Sequence, residues 1–152
     1  MTVESTLQTL KIDLPTPPKA VATYATAVRS GNLLFIAGQG PMVDGKPKFT
    51  GKLGGNVTIE QGQECARIAC LNALAIAKQH LGSLDQVKRA AQATVWVACK
   101  DTFTEQPQVA NGATEVIKQI WGEGALPARA AVGTNVLPMD IPVEVVLVLE
   151  LR

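Results

Sequence analysis

One arginine stands in a segment where a charged side chain is unexpected. Residues 126–152, LPARAAVGTNVLPMDIPVEVVLVLELR, are mostly apolar and β-prone, yet Arg129 lies just inside their start. Burying an arginine costs several kcal/mol unless a carboxylate pairs with it. That carboxylate belongs either to the protein or to a ligand, which a planar guanidinium binds through two parallel hydrogen bonds. The residues alone leave both alternatives open.

Other reactive residue types are few. His80 is the only histidine, and together with the cysteines at 65, 70 and 99 it gives no usual metal-ligand spacing. A Ser–His or Cys–His nucleophile pair would have to use this same histidine, and its flanking sequence does not support one. We interpret the cysteines as small buried hydrophobic residues in a reducing cytosol, with oxidised pairing as the alternative. The sequence therefore predicts no metal site.

Length and charge limit the classes of protein to which the chain can belong. The 152 residues predict one domain, 1–152, since domains typically hold about 100–150 residues, and the Pro-rich start predicts an extended arm over 1–16. With 14 basic against 13 acidic residues and 4% aromatics, nothing points to nucleic acid or a membrane surface. No signal-length or membrane-spanning apolar segment is present, so we expect a cytoplasmic protein.

Characteristic residues mark where the predicted helices and strands begin and end. Thr58 and Gln61 form a capping-box pattern that begins a helix, and Gly82 ends it. The other predicted elements are a hairpin of strands 24–28 and 32–38, a small hairpin turning at Asp44–Gly45, a strand at 87–99, a helix at 105–121 and two final strands. Interleaved strands and helices with hairpins at both ends predict an α+β fold, a mixed sheet with both helices packed on one face.

The last strand carries information about assembly. Its odd positions from 143 to 151 are all apolar, which suits the face under the helices. Its even positions include Val146 and Val148, whereas a face exposed to water would alternate with polar residues throughout. Because both helices are used on the other face, the simplest cover is another copy of the chain, and we expect a homo-oligomer. The alternative is that two valines are simply exposed.

Four stretches together resemble one family. PARAAVGTNVLP followed by PVEVVLVLEL is similar to the C-terminal signature of the Rid family, the reactive intermediate deaminases, also called YjgF-like proteins. The stretches YATAVRSGNLLFIAGQGP, VANGATEVI and LGSLDQVKRAAQATVWV resemble its first hairpin, its second helix and its central strand. The resemblance runs from about Pro17 to the C-terminus. It implies a chorismate-mutase-like fold, homotrimers with sheets lining the centre, and small-molecule clefts between subunits.

The resemblance also implies an activity. Members of the deaminase branch hydrolyse 2-imino acids, tautomers of the enamines released by pyridoxal-phosphate enzymes, to 2-oxo acids and ammonia, with no cofactor or metal. Arg129 would then hold the substrate carboxylate, Glu144 would position or activate the attacking water, and Tyr24 would orient the imine. Substrate contacts would come from the backbone at Gly38 and Ala131 and from the side chain of Asn111.

Each of these residues also has a structural interpretation. Glu144 could be a solvated strand end, Tyr24 a packing residue at a rim, and Gly38 a turn glycine. Asn111, with Gly112, could bend or cap its helix.

Some features differ from the deaminase branch. That branch often carries cysteine where this chain has Ala131, and the excursion at 38–55 is longer. The competing hypotheses are a non-catalytic trimer whose interface pocket binds small carboxylates as a sensor or regulatory protein, and an endoribonuclease. The neutral charge balance argues against the second, since RNA binding depends on basic surface.

Overall fold

The structure, a computed structural model, describes residues 1–152 and consists of one main sheet with three helices. The helices are α1 (Val3–Leu10), α2 (Ile59–Leu81) and α3 (Gln106–Trp121). The strands are β1 (Ala27–Ser30), β2 (Leu33–Gln39), β3 (Met42–Val43), β4 (Lys46–Pro47), β5 (Val87–Ala98), β6 (Ala128–Thr134) and β7 (Val143–Leu151). The sheet has the order β1-β2-β7-β5-β6, and β3 and β4 pair separately as the predicted small hairpin.

All pairs in the main sheet are antiparallel except β5 and β6. The parallel pair arises because α3 connects the two strands as a crossover, which a hairpin cannot do. The predicted mixed sheet is therefore confirmed. Strand β6 lies at an edge, where only β5 pairs with it.

Helix α2 begins and ends where its sequence signals predict. The Gln61 amide donates to Thr58 Oγ1 (3.1 Å) and the Thr58 amide donates to Gln61 Oε1 (3.0 Å), which completes the capping box. Gly82 ends the helix with a φ of 84°, a left-handed conformation that suits glycine. The buried face of α2 consists mainly of alanine and cysteine, so its backbone lies close to the sheet.

Helix α3 packs against α2 on the same face of the sheet, as predicted. A Cβ atom at Gly112 would clash with the carbonyl oxygen of Gln63, so only glycine permits this approach between the two backbones. The side chain of Gln63 donates to the carbonyl of Gln108 (2.8 Å) and ties the helices together. The position of α3 relative to α2 is thus set by a close contact.

Strand β7 alternates as the sequence predicts. Its odd positions are buried against the helices, and its even positions are half-exposed on the other face. We call that other side the open face, because no element of the chain covers it. The buried core of 33 residues lies between the sheet and the helices.

The N-terminus corrects one prediction. Residues 3–10 form α1, not part of an extended arm, because the Pro-rich stretch 15–18 governs only the residues around it. Thr2 caps α1, and Val3 and Leu7, one helical turn apart, enter the core. Burial raises the pKa of Glu4, but hydrogen bonds from Lys78 and the Leu84 amide outweigh it and hold that pKa below its ordinary value.

Strand β1 begins at Ala27, three residues later than predicted, so Tyr24 lies in the preceding loop. None of the three helices has both the length and the apolar character needed to cross a bilayer.

Candidate functional site

Arg129 lies on the helix side of the edge strand β6. Its partner in the parallel ladder is Ala93 of β5, which is fully buried under the helices. Because directly paired residues of adjacent strands point to the same side, Arg129 projects toward α3. In the single chain the arginine is exposed, not buried as the apolar segment suggested, because β6 has no neighbour on its outer side.

Helix α3 holds the guanidinium of Arg129 through neutral acceptors. Nη1 donates to Asn111 Oδ1 at 2.7 Å and to Thr114 Oγ1 at 3.2 Å. The chain forms five ion pairs, and none includes Arg129. An amide and a hydroxyl orient the cation but leave its charge unneutralised, and Nε and Nη2 have no partner in the chain.

Glu144 lies on the opposite side of the sheet. It is the second residue of β7, and its cross-strand partner is Trp96 on β5. The carboxylate of Glu144 takes part in no ion pair. Burial raises the pKa of Glu144 above its ordinary value, because removal of water penalises the charged form. A carboxyl group with a raised pKa can both accept and return a proton closer to neutral pH.

Gly38 and Tyr24 belong to the same region as Glu144. A Cβ at Gly38 would lie 2.9 Å from Cδ of Glu144, so the glutamate side chain covers the Gly38 backbone. The contact lies where the register of β2 against β7 shifts, between Ile36 and Gln39, as in a β-bulge. The amide of Ala37 donates to the carbonyl of Thr26 (2.9 Å), which brings the exposed Tyr24 to this end of β2.

Ala131 and Asn111 belong with Arg129. Ala131 is two residues beyond the arginine on β6, on the same helix side, and packs against the core next to Val95. Asn111 supplies the shorter of the two contacts to the guanidinium. Asn111 does not cap the helix, because it lies inside α3, and its amide oxygen accepts from Arg129.

The predicted site residues therefore form two groups. The first, the arginine group, consists of Arg129, Asn111 and Ala131, and the second, the glutamate group, consists of Glu144, Gly38 and Tyr24. Strand β5 separates them, and the register places Arg129 and Glu144 opposite residues three apart on β5. With about 4.8 Å between strands and 3.3 Å per residue, their Cα atoms are roughly 14 Å apart, with the side chains on opposite faces.

Two residues of the site region are absent from the sequence prediction. Thr114 lies one turn after Asn111, on the same helical face, so the spacing of three residues was a usable signal. Trp96 flanks Glu144, and its position follows only from the register between β5 and β7. Nowhere do three or more His, Cys, Asp or Glu side chains cluster as a metal site would require.

The open face is largely apolar. On this face apolar side chains of neighbouring strands lie opposite each other: Val28 opposite Phe35, Phe35 opposite Val148, and Trp96 opposite Val132. Phe35 and Trp96 are 45% and 38% exposed, which is high for aromatic side chains in the middle of a sheet. Val146 lies two residues from Val148 on β7 and diagonal to Trp96, so these side chains form an apolar band that borders Glu144 and is interrupted on β5 by Gln92 and Thr94.

Comparison with known proteins identifies the family to which this fold belongs. The family model described as "YjgF/chorismate_mutase-like, putative endoribonuclease" matches residues 4–151. Protein TCP17 of Trypanosoma cruzi is 39% identical over 151 residues, covering 99% of this chain and 94% of the relative.

Two crystal structures share the whole architecture. Protein Atu1372 of Agrobacterium tumefaciens, whose function is unknown, has a TM-score of 0.90 and is 36% identical in sequence. The match covers 99% of this chain and 92% of the Atu1372 chain. A protein of Shewanella oneidensis MR-1 has a TM-score of 0.94 and is 30% identical in sequence, and the match covers 99% of this chain and 100% of the Shewanella chain. These matches, the fold and the motifs agree: the chain belongs to the YjgF-like, or Rid, family.

Proposed function

We propose that this protein hydrolyses small reactive 2-imino acids to 2-oxo acids and ammonia, as a repair activity in the cytoplasm. The observation that carries the proposal is the state of Arg129. Its guanidinium is held by two neutral acceptors and pairs with no carboxylate of the chain. A cation positioned in this way is suited to bind a carboxylate that arrives with a ligand.

The chemistry requires three tasks of the protein. Arg129 anchors the substrate carboxylate, so that the C=N carbon lies at a fixed place. The imine reacts in its protonated form, C=NH2⁺, and Glu144 takes a proton from a water molecule as the water oxygen attacks the imine carbon, which gives a neutral carbinolamine. Protonation of the nitrogen then lets the C–N bond break, ammonia leaves, and the remaining hydroxyl loses a proton to become the carbonyl of the 2-oxo acid. Tyr24 orients the nitrogen, and the amides near Gly38 and Ala131 contact the substrate.

The separation of the two groups supports a site shared by two copies. A 2-imino acid spans only a few ångströms, so it cannot contact Arg129 and Glu144 of one chain across the sheet. We propose a homotrimer whose open faces meet at the centre, burying the apolar band that includes Phe35 and Trp96. Each cleft would then combine the arginine group of one copy with the glutamate group of the next. Light scattering should give a mass three times that of the 16.0 kDa chain.

The activity is tested by supplying the unstable substrate in place. An amino-acid oxidase produces 2-iminopropanoate from alanine, and semicarbazide traps what has not yet hydrolysed. We expect the wild type to accelerate loss of the imine and Arg129→Ala to lack this effect. Arg67→Ala is the matched control, because Arg67 donates to a neutral amide oxygen, Gln119 Oε1 (3.4 Å), and pairs with no acid.

One alternative keeps the same binding chemistry without catalysis. If the wild type does not change imine loss but binds 2-oxo acids saturably, with Arg129→Ala abolishing the binding, the protein is a carboxylate sensor and the enzymatic proposal is wrong. If wild type and Arg129→Ala behave alike in both assays, the enzymatic proposal and the sensor proposal are both wrong.

A further inference from the structure

We propose that Thr114 is a positioning residue: together with Asn111 it holds Arg129 by Nη1, so that the Nε–Nη2 edge of the guanidinium faces the ligand. This inference rests on the proposed function, because it names the part of the arginine that receives the substrate carboxylate. It makes α3 the element that determines which groups the site accepts.

The guanidinium of Arg129 has more N–H donors than α3 occupies. Arginine has five N–H groups: one on Nε and two on each Nη. Nη1 makes two hydrogen bonds, to Asn111 Oδ1 and to Thr114 Oγ1, which uses both of its hydrogens. The hydrogens on Nε and Nη2 have no acceptor in the chain. Nε and Nη2 form an edge with two parallel N–H groups, the arrangement that fits both oxygens of a carboxylate.

Two hydrogen bonds restrict the orientation of the guanidinium more than one hydrogen bond would. With a bond to Asn111 alone, the guanidinium could still turn about the Nη1 contact and present another edge. The second contact, to Thr114 one helical turn away, fixes the plane of the guanidinium as well. Thr114 is itself fixed, being only 8% exposed on a helix whose position is set by the close approach of Gly112 to Gln63. The orientation of Arg129 therefore depends on the packing of α3 against α2.

The character of the acceptors is equally important. Asparagine and threonine accept hydrogen bonds without neutralising the arginine, whereas an acid at either place would occupy the charge. The exposed edge therefore favours a planar group with two equivalent oxygens and a full negative charge. The structure assigns selectivity for free 2-oxo and 2-imino acids over their amides or esters to this arrangement.

The test uses two substitutions that separate the hydroxyl from the shape of Thr114. Thr114→Val keeps the volume and removes the acceptor, while Thr114→Ser keeps the hydroxyl. Thr9→Val is the matched control, since Thr9 is also a helical threonine whose hydroxyl bonds within the chain, to the Ser5 carbonyl. Binding of 2-oxobutanoate and of its amide is measured by calorimetry, and KM and kcat for 2-iminopropanoate by the trapping assay.

We expect Thr114→Val to weaken binding of 2-oxobutanoate and raise KM by roughly tenfold, the lower end of the effect of losing one hydrogen bond to a charged group. kcat should change little, discrimination against the amide should fall, and Thr114→Ser should behave as the wild type. Thermal melting of the valine variant checks that it is folded.

The inference is overturned if Thr114→Val binds as the wild type while Arg129→Ala does not bind, or if the serine variant is as weak as the valine variant. Wild-type binding by Arg129→Ala would instead refute the proposed function itself.

Discussion

The backbone of Gly38 lies directly beneath the carboxyl group of Glu144. A Cβ atom at this glycine would lie 2.9 Å from Cδ and 3.2 Å from Cγ of the glutamate. The φ angle of Gly38 is not in the left-handed region, so the backbone does not require glycine there; the glutamate side chain does. The position of the proposed general base therefore depends on the absence of one methyl group.

Gly38→Ala should impair the reaction more than the stability. The added methyl group would displace the Glu144 carboxyl by an ångström or so, and a misplacement of that size can lower the rate about a hundredfold. We expect kcat for 2-iminopropanoate to fall and binding of 2-oxobutanoate to change little. Gly124→Ala is the control, because a Cβ at Gly124 meets open space. Unchanged kcat in Gly38→Ala would mean that Glu144 is not needed at its observed position.

Glu144→Gln should make the folded protein more stable at neutral pH. Burial raises the pKa of Glu144 above its ordinary value of 4.5, so the folded state favours the neutral acid. That contribution to stability is fully present below the unfolded pKa and is lost as pH rises through the folded pKa. Glutamine does not titrate, so the melting temperature of the variant should exceed that of the wild type by a few degrees at pH 7. The difference should disappear below pH 4.5, and a variant less stable at pH 7 would contradict this argument.

The three thiols should differ sharply in reactivity. Burial raises the pKa of both Cys65 and Cys70 to about 12, and the thiolate is the reactive form. All three cysteines are free, as expected, and Cys99 is only half-buried. Titration with a thiol reagent should modify at most one cysteine rapidly in the folded protein and three after unfolding, with peptide mapping identifying Cys99. Rapid modification of Cys65 or Cys70 would show that α2 opens readily.

The main elements could be predicted because their signals are local. The capping box at Thr58 and the terminal Gly82 define α2, and the alternation of β7 distinguishes its buried face from its open face. The N-terminal helix was missed for the opposite reason. Its stability depends on tertiary contacts, the burial of Val3 and the bonds of Glu4 to Lys78 and to the loop before β5.

The sequence could nominate candidate site residues but not their arrangement. The family motifs identify Arg129 and Glu144, but they do not indicate that the two side chains lie on opposite faces. That relationship follows from the parallel register of β6 and the antiparallel register of β7 along β5, which no local signal specifies. The contact of Thr114 with Arg129 likewise depends on how α3 packs on α2.

Subunit complementation shows whether Arg129 of one copy and Glu144 of another share a cleft. Arg129→Ala and Glu144→Gln chains are prepared separately, each expected to be inactive, then mixed in equal amounts and allowed to exchange. If each cleft takes Arg129 from one copy and Glu144 from the next, random trimers carry both native residues in about a quarter of their clefts. We therefore predict that imine hydrolysis returns to about a quarter of the wild-type rate. Confirmed mixed trimers that remain as inactive as either parent would contradict the claim.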